Sequence, residues 1–466
     1  MIYFEINWLL SFVALSISSI LLFKLNIISK LIKLLESYNV FLNSYLSKAE
    51  DSLKLKKIIS SFKIIIILTF NLICIIVFIL LPICILYIFG LVRGINFWDY
   101  IISYESFIFT LILFIIFSKI FKNKKRYNRY DQTIHKLILN NKLISNMMFD
   151  IEKKIFYKKK NIGSKKLFIC GYARSGTTII LNTLYSSGYF TSLLYRDLPF
   201  ILSPSINKFF IKFTNINKKN KKYERSHLDG LYIDADTPEA LEEVFWKVKL
   251  QDSYIKNNYL KKNIINSKTL NEFEKYISLI NNLDKIYLSK NNNNILRIEQ
   301  LANLKNSNII IMIREPYFHA KSLLTQHVSF CKQQNDDLFF EDYMNSIGHY
   351  EFGNNQKSFF SATKIANKEN LSFWLSEWKK VYSIILKEYL ELNKNNIFFV
   401  TYEGFSSNKD LFIEKINNLI GIDIKNKDLM KNRNHYSDAA SNIDDNKILL
   451  DECNDIYEKI KKISLI

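Results

Sequence analysis

The chain has 466 residues, a formal net charge of +20 and a hydrophobic share of 48%, a length that favours two parts over one domain. Its lysines are scattered among asparagines and isoleucines with no nucleic-acid motif among them, so nucleic acid is set aside as a partner despite the charge. Five cysteines without a CxxC or pairing pattern exclude a disulfide scaffold and suit a reducing compartment, and six histidines standing away from cysteine or carboxylate at ligand spacing give no metal site.

In chain order, the first element is the apolar run Ile6–Phe23. Glu5 precedes it and no Ala-x-Ala follows, so it reads as a retained anchor and not a cleaved signal. Ile64–Val92 carries no charge and is ample to cross a bilayer, with Pro82 and Gly90 tolerable in a helix that has neighbours. Ser106–Phe121, with Glu105 at its edge, is a third candidate. Residues 1–125 are therefore expected to be a membrane anchor of three transmembrane helices. The segment Asn26–Lys63 carries seven lysines, Arg93–Tyr100 a single arginine, and Lys122–Arg129 is dense in cations. Three crossings place the first loop and everything after residue 126 on one side, cytoplasmic by the positive-inside rule; two crossings would reverse that. The juxtamembrane cations also favour membrane lipids with anionic headgroups as partners.

Residues 126–162 read as a linker, with a helix over Tyr130–Tyr157 and a basic loop at Lys158–Asn161. From 163 to 466 strands and helices alternate. Strands are expected at Lys166–Gly171, Tyr189–Leu194, Lys285–Leu288, Asn308–Arg314 and Asn396–Thr401. Helices are expected at Thr177–Tyr185, Pro238–Lys249 with Thr237 as N-cap, Leu270–Asn282, Pro316–Cys331 opened by its proline, Leu371–Leu392 and Asn408–Ile420. Pro204–Asn220 is lysine-rich, and Asn291–Asn294 looks like low complexity. The alternation predicts an α/β fold, a parallel sheet flanked by helices, with its site beyond the carboxyl ends of the strands.

The most informative stretch is Lys166–Thr178, KLFICGYARSGTT. Strand, glycine loop and helix start aim backbone N–H groups and a helix N-terminus at a bound phosphate. Gly171 and Gly176 have the P-loop spacing, but Thr177 stands where that loop has lysine, and the nearest cation is Arg174. A P-loop kinase or nucleotide hydrolase is thus one reading, against which stand the absent lysine and the lack of a Mg²⁺-holding acid after a strand. A non-catalytic membrane scaffold is another.

The segment Ala173–Thr178 resembles the phosphosulfate loop of the sulfotransferase superfamily. A second element agrees with it: the apolar Ile309–Ile313 precedes Arg314-Glu315-Pro316, and Ser322 lies eight positions after Arg314. The resemblance spans Lys166 to Phe405 and implies a P-loop-like sulfotransferase fold in a membrane-anchored member. It implies PAPS as co-substrate without a metal, and transfer of its sulfonate to a hydroxyl; the expected membrane location alone points to a lipid-linked, carbohydrate, glycolipid or other hydroxyl acceptor. By the same resemblance Arg174, Ser175, Gly176, Thr177 and Thr178 hold the phosphosulfate, Arg314 and Ser322 hold the 3′-phosphate, and Lys290 contacts the sulfonate. Asp197 falls near the point where the tyrosylprotein and carbohydrate branches have a glutamate base; His227 and Glu242 are rivals for that proton.

Each residue has a plainer alternative. Arg174 and Lys290 can be solvated cations, the threonines simple caps, Asp197 a partner of Arg196, and Glu242 a solvated helix carboxylate. His319 and His327 share a helix face and read as polar residues that could line an acceptor cleft. Tyr402-Glu403 matches a late signature of the same family.

Overall fold

A computed structural model describes residues 2–25, 27–46, 51–93, 95, 97–101, 103, 106, 109, 135–136, 138–157, 164–208, 222–224, 232–280, 285–365, 367–425 and 446–466. They fall into two compact units, Met1–Asn141 and Lys142–Ile466.

In the first unit, helices Ile2–Lys24 and Ile27–Leu46 both pack against the 43-residue helix Asp51–Arg93. Of the stretch between the first two apolar runs, where the sequence suggested a loop, Ile27–Leu46 and the residues from 51 onward are thus helical. Its leucines recur at helical spacing and supply an apolar face. Among the described residues, one helix is long and apolar enough to cross a membrane, over Leu55–Arg93. A shorter apolar helical stretch is Asn7–Leu21, and the expected third crossing, Ser106–Phe121, lies almost wholly outside the described residues. Helix hydroxyls satisfy themselves internally: Ser11 donates to the Asn7 carbonyl at 2.9 Å and Thr69 to that of Ile65 at 2.8 Å. Back-bonding of this kind is what an apolar surrounding demands.

The second unit is built on five parallel strands: β1 (Lys166–Gly171), β2 (Phe190–Thr191), β3 (Ile286–Lys290), β4 (Ser307–Ile313) and β5 (Ile397–Thr401). Their order in the sheet is β2-β3-β1-β4-β5. The central strands are near-continuous apolar runs, as strands buried on both faces must be. On one face Leu167 and Ile169 meet Ile180, Leu181 and Leu184 of helix Thr177–Ser186 and Phe412, Ile413 and Ile416 of helix Lys409–Ile420. On the other, Phe168 packs on Phe273 and Tyr287, beside Phe245 and Trp246 of helix Glu243–Lys249. Helix Lys142–Phe156 belongs to this unit, with Phe149 edge-on to Phe245 and Tyr276. Residues 465–466 hydrogen-bond along β5: Leu465 N–H to Phe399 O at 2.8 Å, and Thr401 N–H to Ile466 O at 3.0 Å.

Register aligns the carboxyl ends. Gly171 pairs with Met312, Met312 with Val400, Ile313 with Thr401, and Ile169 with Lys290. The loops after β1, β3, β4 and β5 therefore leave the sheet at one edge, where a doubly wound sheet binds its ligands.

Several boundaries differ from expectation. The helix expected from Pro238 starts at Glu243, because Pro238 bridges to Leu194 and Glu239 N–H donates to the Leu193 carbonyl. Thr237 folds back onto Asp234 at 2.8 Å instead of capping a helix. β3 ends at Lys290, so that lysine closes the strand and does not follow it. The helix from Pro316 runs on to Asp336. Helices that were not expected in this unit include Leu338–Ser346 and Lys447–Lys462.

Candidate active site

The loop Tyr172–Gly176 joins β1 to the N-terminus of helix Thr177–Ser186. Arg174 has a φ of 69° and Gly176 of 96°, so the loop turns through the left-handed region twice. Gly176 is required twice over. Its φ disfavours a side chain, and a Cβ there would stand 2.6 Å from Cδ2 of Tyr402. Helix Thr177–Ser186 starts here, with Ile179 N–H already on the Gly176 carbonyl at 3.1 Å, and the helix dipole leaves this end electropositive.

Arg174 and Arg314, far apart in sequence, come together here. Nε of Arg174 donates to Oγ of Ser322 at 3.2 Å, and Nη1 of Arg314 donates to the Arg174 carbonyl at 3.4 Å. Both guanidinium groups are half-buried. Arg314 lies over the Tyr402 ring, 4.8 Å from its centroid. The turn that carries Arg314 is fixed from three sides. Glu315 caps the following helix through the N–H groups of Tyr317 and Phe318. Glu403 accepts from Glu315 N–H at 3.0 Å and from the Tyr457 hydroxyl at 2.8 Å. Tyr402-Glu403 thus supports the second arginine, and Tyr457 brings in the unexpected C-terminal helix.

Ser175 and Thr177 are buried, and the Thr177 hydroxyl donates to Oδ1 of Asn292 at 3.3 Å. Nδ2 of Asn292 in turn donates to Glu351 at 3.1 Å. The tract Asn291–Asn294 is therefore not a solvated low-complexity loop. All four side chains are buried, with Asn291 on Glu243 at 2.8 Å, Asn293 on the Gly348 carbonyl at 3.0 Å and Asn294 on Glu242 at 3.2 Å. Beneath them Arg297 and Glu243 form a buried ion pair at 2.8 Å.

Lys290 is buried at the end of β3, in register with Ile169 and so beside the root of the phosphate loop. Asp197 is buried in the short 3-10 turn Tyr195–Asp197, and its Oδ2 accepts from Leu194 N–H at 2.8 Å. Burial raises its carboxyl above the usual range, and the Leu194 N–H partly offsets this. Arg196 pairs with Asp236. Glu242 sits away from solvent: Oε1 accepts from the Trp246 indole at 3.1 Å and from Asn294, and Oε2 from the Tyr287 hydroxyl at 2.9 Å. Those three bonds make it an internal anchor of the asparagine tract. His227 lies outside the described residues. His319 and His327 are both buried within helix Pro316–Asp336.

Sequence reasoning missed Asn292, Glu351, His319 in its actual place, and Trp378. Asn292 had one readable signal: it follows a strand that ends at the same sheet edge as the phosphate loop. The others are joined to the site only through tertiary structure.

The arrangement offers two guanidinium groups, a hydroxyl and a helix N-terminus on one patch, and a glycine that lets a ligand approach the backbone. These donors suit the oxygens of phosphate or sulfate groups.

The sulfotransferase domain family model matches residues 164–442. Among solved structures, sulfotransferase STF1 of Mycobacterium tuberculosis H37Rv is similar at a TM-score of 0.38 and 11% identity, covering 67% of this chain and 82% of its own. Sulfotransferase STF9 of Mycobacterium avium is similar at a TM-score of 0.39 and 14% identity, covering 67% and 78%. No curated protein matches the chain.

Proposed function

The chain belongs to the sulfotransferase family, and from that premise we propose that it moves the sulfonate of PAPS onto a hydroxyl of a carbohydrate or lipid-linked acceptor at a membrane. The observation that carries the reading is the meeting of Arg174, Ser322 and Arg314 at one sheet edge.

PAPS would supply the sulfonate, bridged by oxygen to a 5′-phosphate. In this reading the N-terminus of helix Thr177–Ser186 and the Arg174 guanidinium bind the 5′ end and neutralise charge on the leaving oxygen. Arg314 and Ser322 hold the 3′-phosphate, which fixes the register of the nucleotide. Lys290, at the strand end beside the loop, adds positive charge where the sulfonate stands. Asp197 is the preferred base, because its raised carboxyl lies closer to neutral pH than an exposed aspartate's. Glu242 is committed to Tyr287, Trp246 and Asn294 and is not carried forward as a base.

The N-terminal unit is read as the anchor, with Leu55–Arg93 as its principal crossing. Together with Ile6–Phe23 and Ser106–Phe121 it makes a multi-pass protein, with the catalytic unit on the cytoplasmic side by the placement of its lysines. That location favours acceptors embedded in or linked to the bilayer, and anionic lipids as neighbours of the basic segments.

The test is mass spectrometry of membrane extracts from cells with and without the protein, and with Arg174→Ala. A species heavier by one sulfonate, present with the wild type and absent with the variant, is expected. Removal of one such donor costs a rate factor of about 10² to 10³. An unchanged extract, or full product from the variant, would overturn the assignment.

A further inference from the structure

His319 belongs to neither signature, yet it touches the loop that carries one and, through a neighbour, the strand end that carries the other. Its Nε2 lies 2.7 Å from the Ala173 carbonyl, and its Nδ1 lies 3.1 Å from the indole Nε1 of Trp378. A carbonyl only accepts and an indole N–H only donates, so a single arrangement satisfies both contacts: the neutral imidazole with its proton on Nε2. The same indole N–H also reaches the Arg314 carbonyl at 3.3 Å. One imidazole and one indole thereby join the peptide before Arg174 to the peptide after Arg314.

That bond has a directional consequence. In a trans peptide the carbonyl and the following N–H point to opposite sides. Turning the Ala173 carbonyl toward His319 turns the Arg174 N–H the other way. The residue that follows this held carbonyl is Arg174, whose φ of 69° is a conformation an arginine does not favour unaided. His319, Trp378 and Tyr382 are fully buried, and the Trp378 and Tyr382 rings pack 4.7 Å apart between centroids, tilted by 46°. Tyr382 adds a second anchor, donating to the Met312 carbonyl at 2.8 Å and accepting from Tyr172 N–H at 3.4 Å.

We propose that His319 is a positioning residue of the donor site: it fixes the Ala173–Arg174 peptide so that the loop presents its N–H groups and its arginine to the anion, and it ties that loop to Arg314 through Trp378. The inference rests on the sulfotransferase reading of the site, and the experiment separates the two.

The full chain in detergent is titrated calorimetrically with PAP and, separately, with pyrophosphate, without divalent metal. The wild type is compared with His319→Phe, His319→Gln, Trp378→Phe and the double variant His319→Phe/Trp378→Phe. His319→Phe should weaken PAP at least about tenfold, the scale of one lost hydrogen bond. His319→Gln, which can donate and accept at once, should recover most of that loss. The double variant should bind no more weakly than His319→Phe alone, because both substitutions break one link. A general packing defect would leave Gln no better than Phe and would make the two losses additive, which overturns the proposal, as would PAP binding undiminished in His319→Phe. If His319→Phe does not fold, the Gln and Trp378→Phe variants carry the same comparison: Trp378→Phe must weaken PAP and Gln must not. A wild type that binds pyrophosphate but not PAP contradicts the donor assignment and leaves the His319 comparison to be read on pyrophosphate. A wild type that binds neither contradicts both.

Discussion

Arg174 carries the site's most telling compromise. It combines a left-handed backbone with a guanidinium turned to Ser322, and an arginine holds that backbone only under constraint. The left-handed region costs an ordinary residue about 1–2 kcal/mol relative to glycine. Arg174→Gly should therefore be more stable than Arg174→Ala by about 1 kcal/mol, with both equally deficient in transfer; chemical denaturation of the two variants checks this, and an Ala variant as stable as the Gly one would mean the backbone is not under load. The histidines make a second prediction. Burial lowers His319 to about 3 and His327 to about 4, against about 6.5 in an unfolded chain. Well above about pH 6.5 neither state holds the proton and the full stability is present. As pH falls below that, the unfolded chain binds protons that the folded chain refuses, so stability is lost progressively toward those lower values. The slope approaches about 1.4 kcal/mol per pH unit for each histidine. Denaturation at stepped pH between 7 and 5 should show the decline, and His319→Gln should flatten it; a level wild-type profile would remove the argument. Arg174, Gly176, Thr177, Arg314 and Ser322 were legible because each pair or run sits at fixed local spacing after an apolar strand. Asn292, Glu351 and Trp378 were not, because their partners lie dozens of positions away.

At the scale of elements, the loop works because glycine and aromatic ring fit together. Gly176 lies against Tyr402, which in turn carries the Arg314 guanidinium. Gly188, at the other end of the same helix, also has a positive φ but has nothing within 4 Å of where its Cβ would stand. Gly188→Ala should cost only the backbone preference, about 1–2 kcal/mol. Gly176→Ala should cost more, and should weaken nucleotide binding as well, because the Tyr402 ring must move from under Arg314. Equal costs, or intact binding in Gly176→Ala, would show that the ring does not set the arginine. The parallel strands were readable as continuous apolar runs, and Leu371–Leu392 matched to the residue because its apolar face is long and unbroken. Pro238–Lys249 misled because its acids resemble a helical first turn, while Glu239 actually bonds backward to Leu193 and Tyr195. Lys447–Lys462 was overlooked because only Cys453, Tyr457 and Ile460 of its largely charged sequence are buried.

For the whole molecule, a catalytic unit of known family joins an apolar helical unit within one chain. Asp51–Arg93 is roughly 65 Å long at about 1.5 Å per residue, about twice the apolar thickness of a bilayer. If Ile64–Val92 crosses a bilayer, as proposed, the lysine-bearing start has room to lie among headgroups. The full chain should stay with membranes through alkaline carbonate washing, and release into the wash would contradict the anchor. Composition made the apolar helix legible, since charge vanishes from Ile64–Val92 and returns after it, whereas the division between the units falls at 141/142, inside the segment expected to be a linker. The central claim concerns two arginines acting on separate phosphates of one nucleotide. Its most direct measurement is an equilibrium titration of the full chain in detergent with PAP and with AMP, which lacks the 3′-phosphate, in the wild type, Arg174→Ala and Arg314→Ala. The account predicts a strong preference for PAP in the wild type, a similar weakening of both ligands in Arg174→Ala, and loss of the preference in Arg314→Ala. Equal affinity of the wild type for the two nucleotides, or a preference that survives in Arg314→Ala, would contradict it.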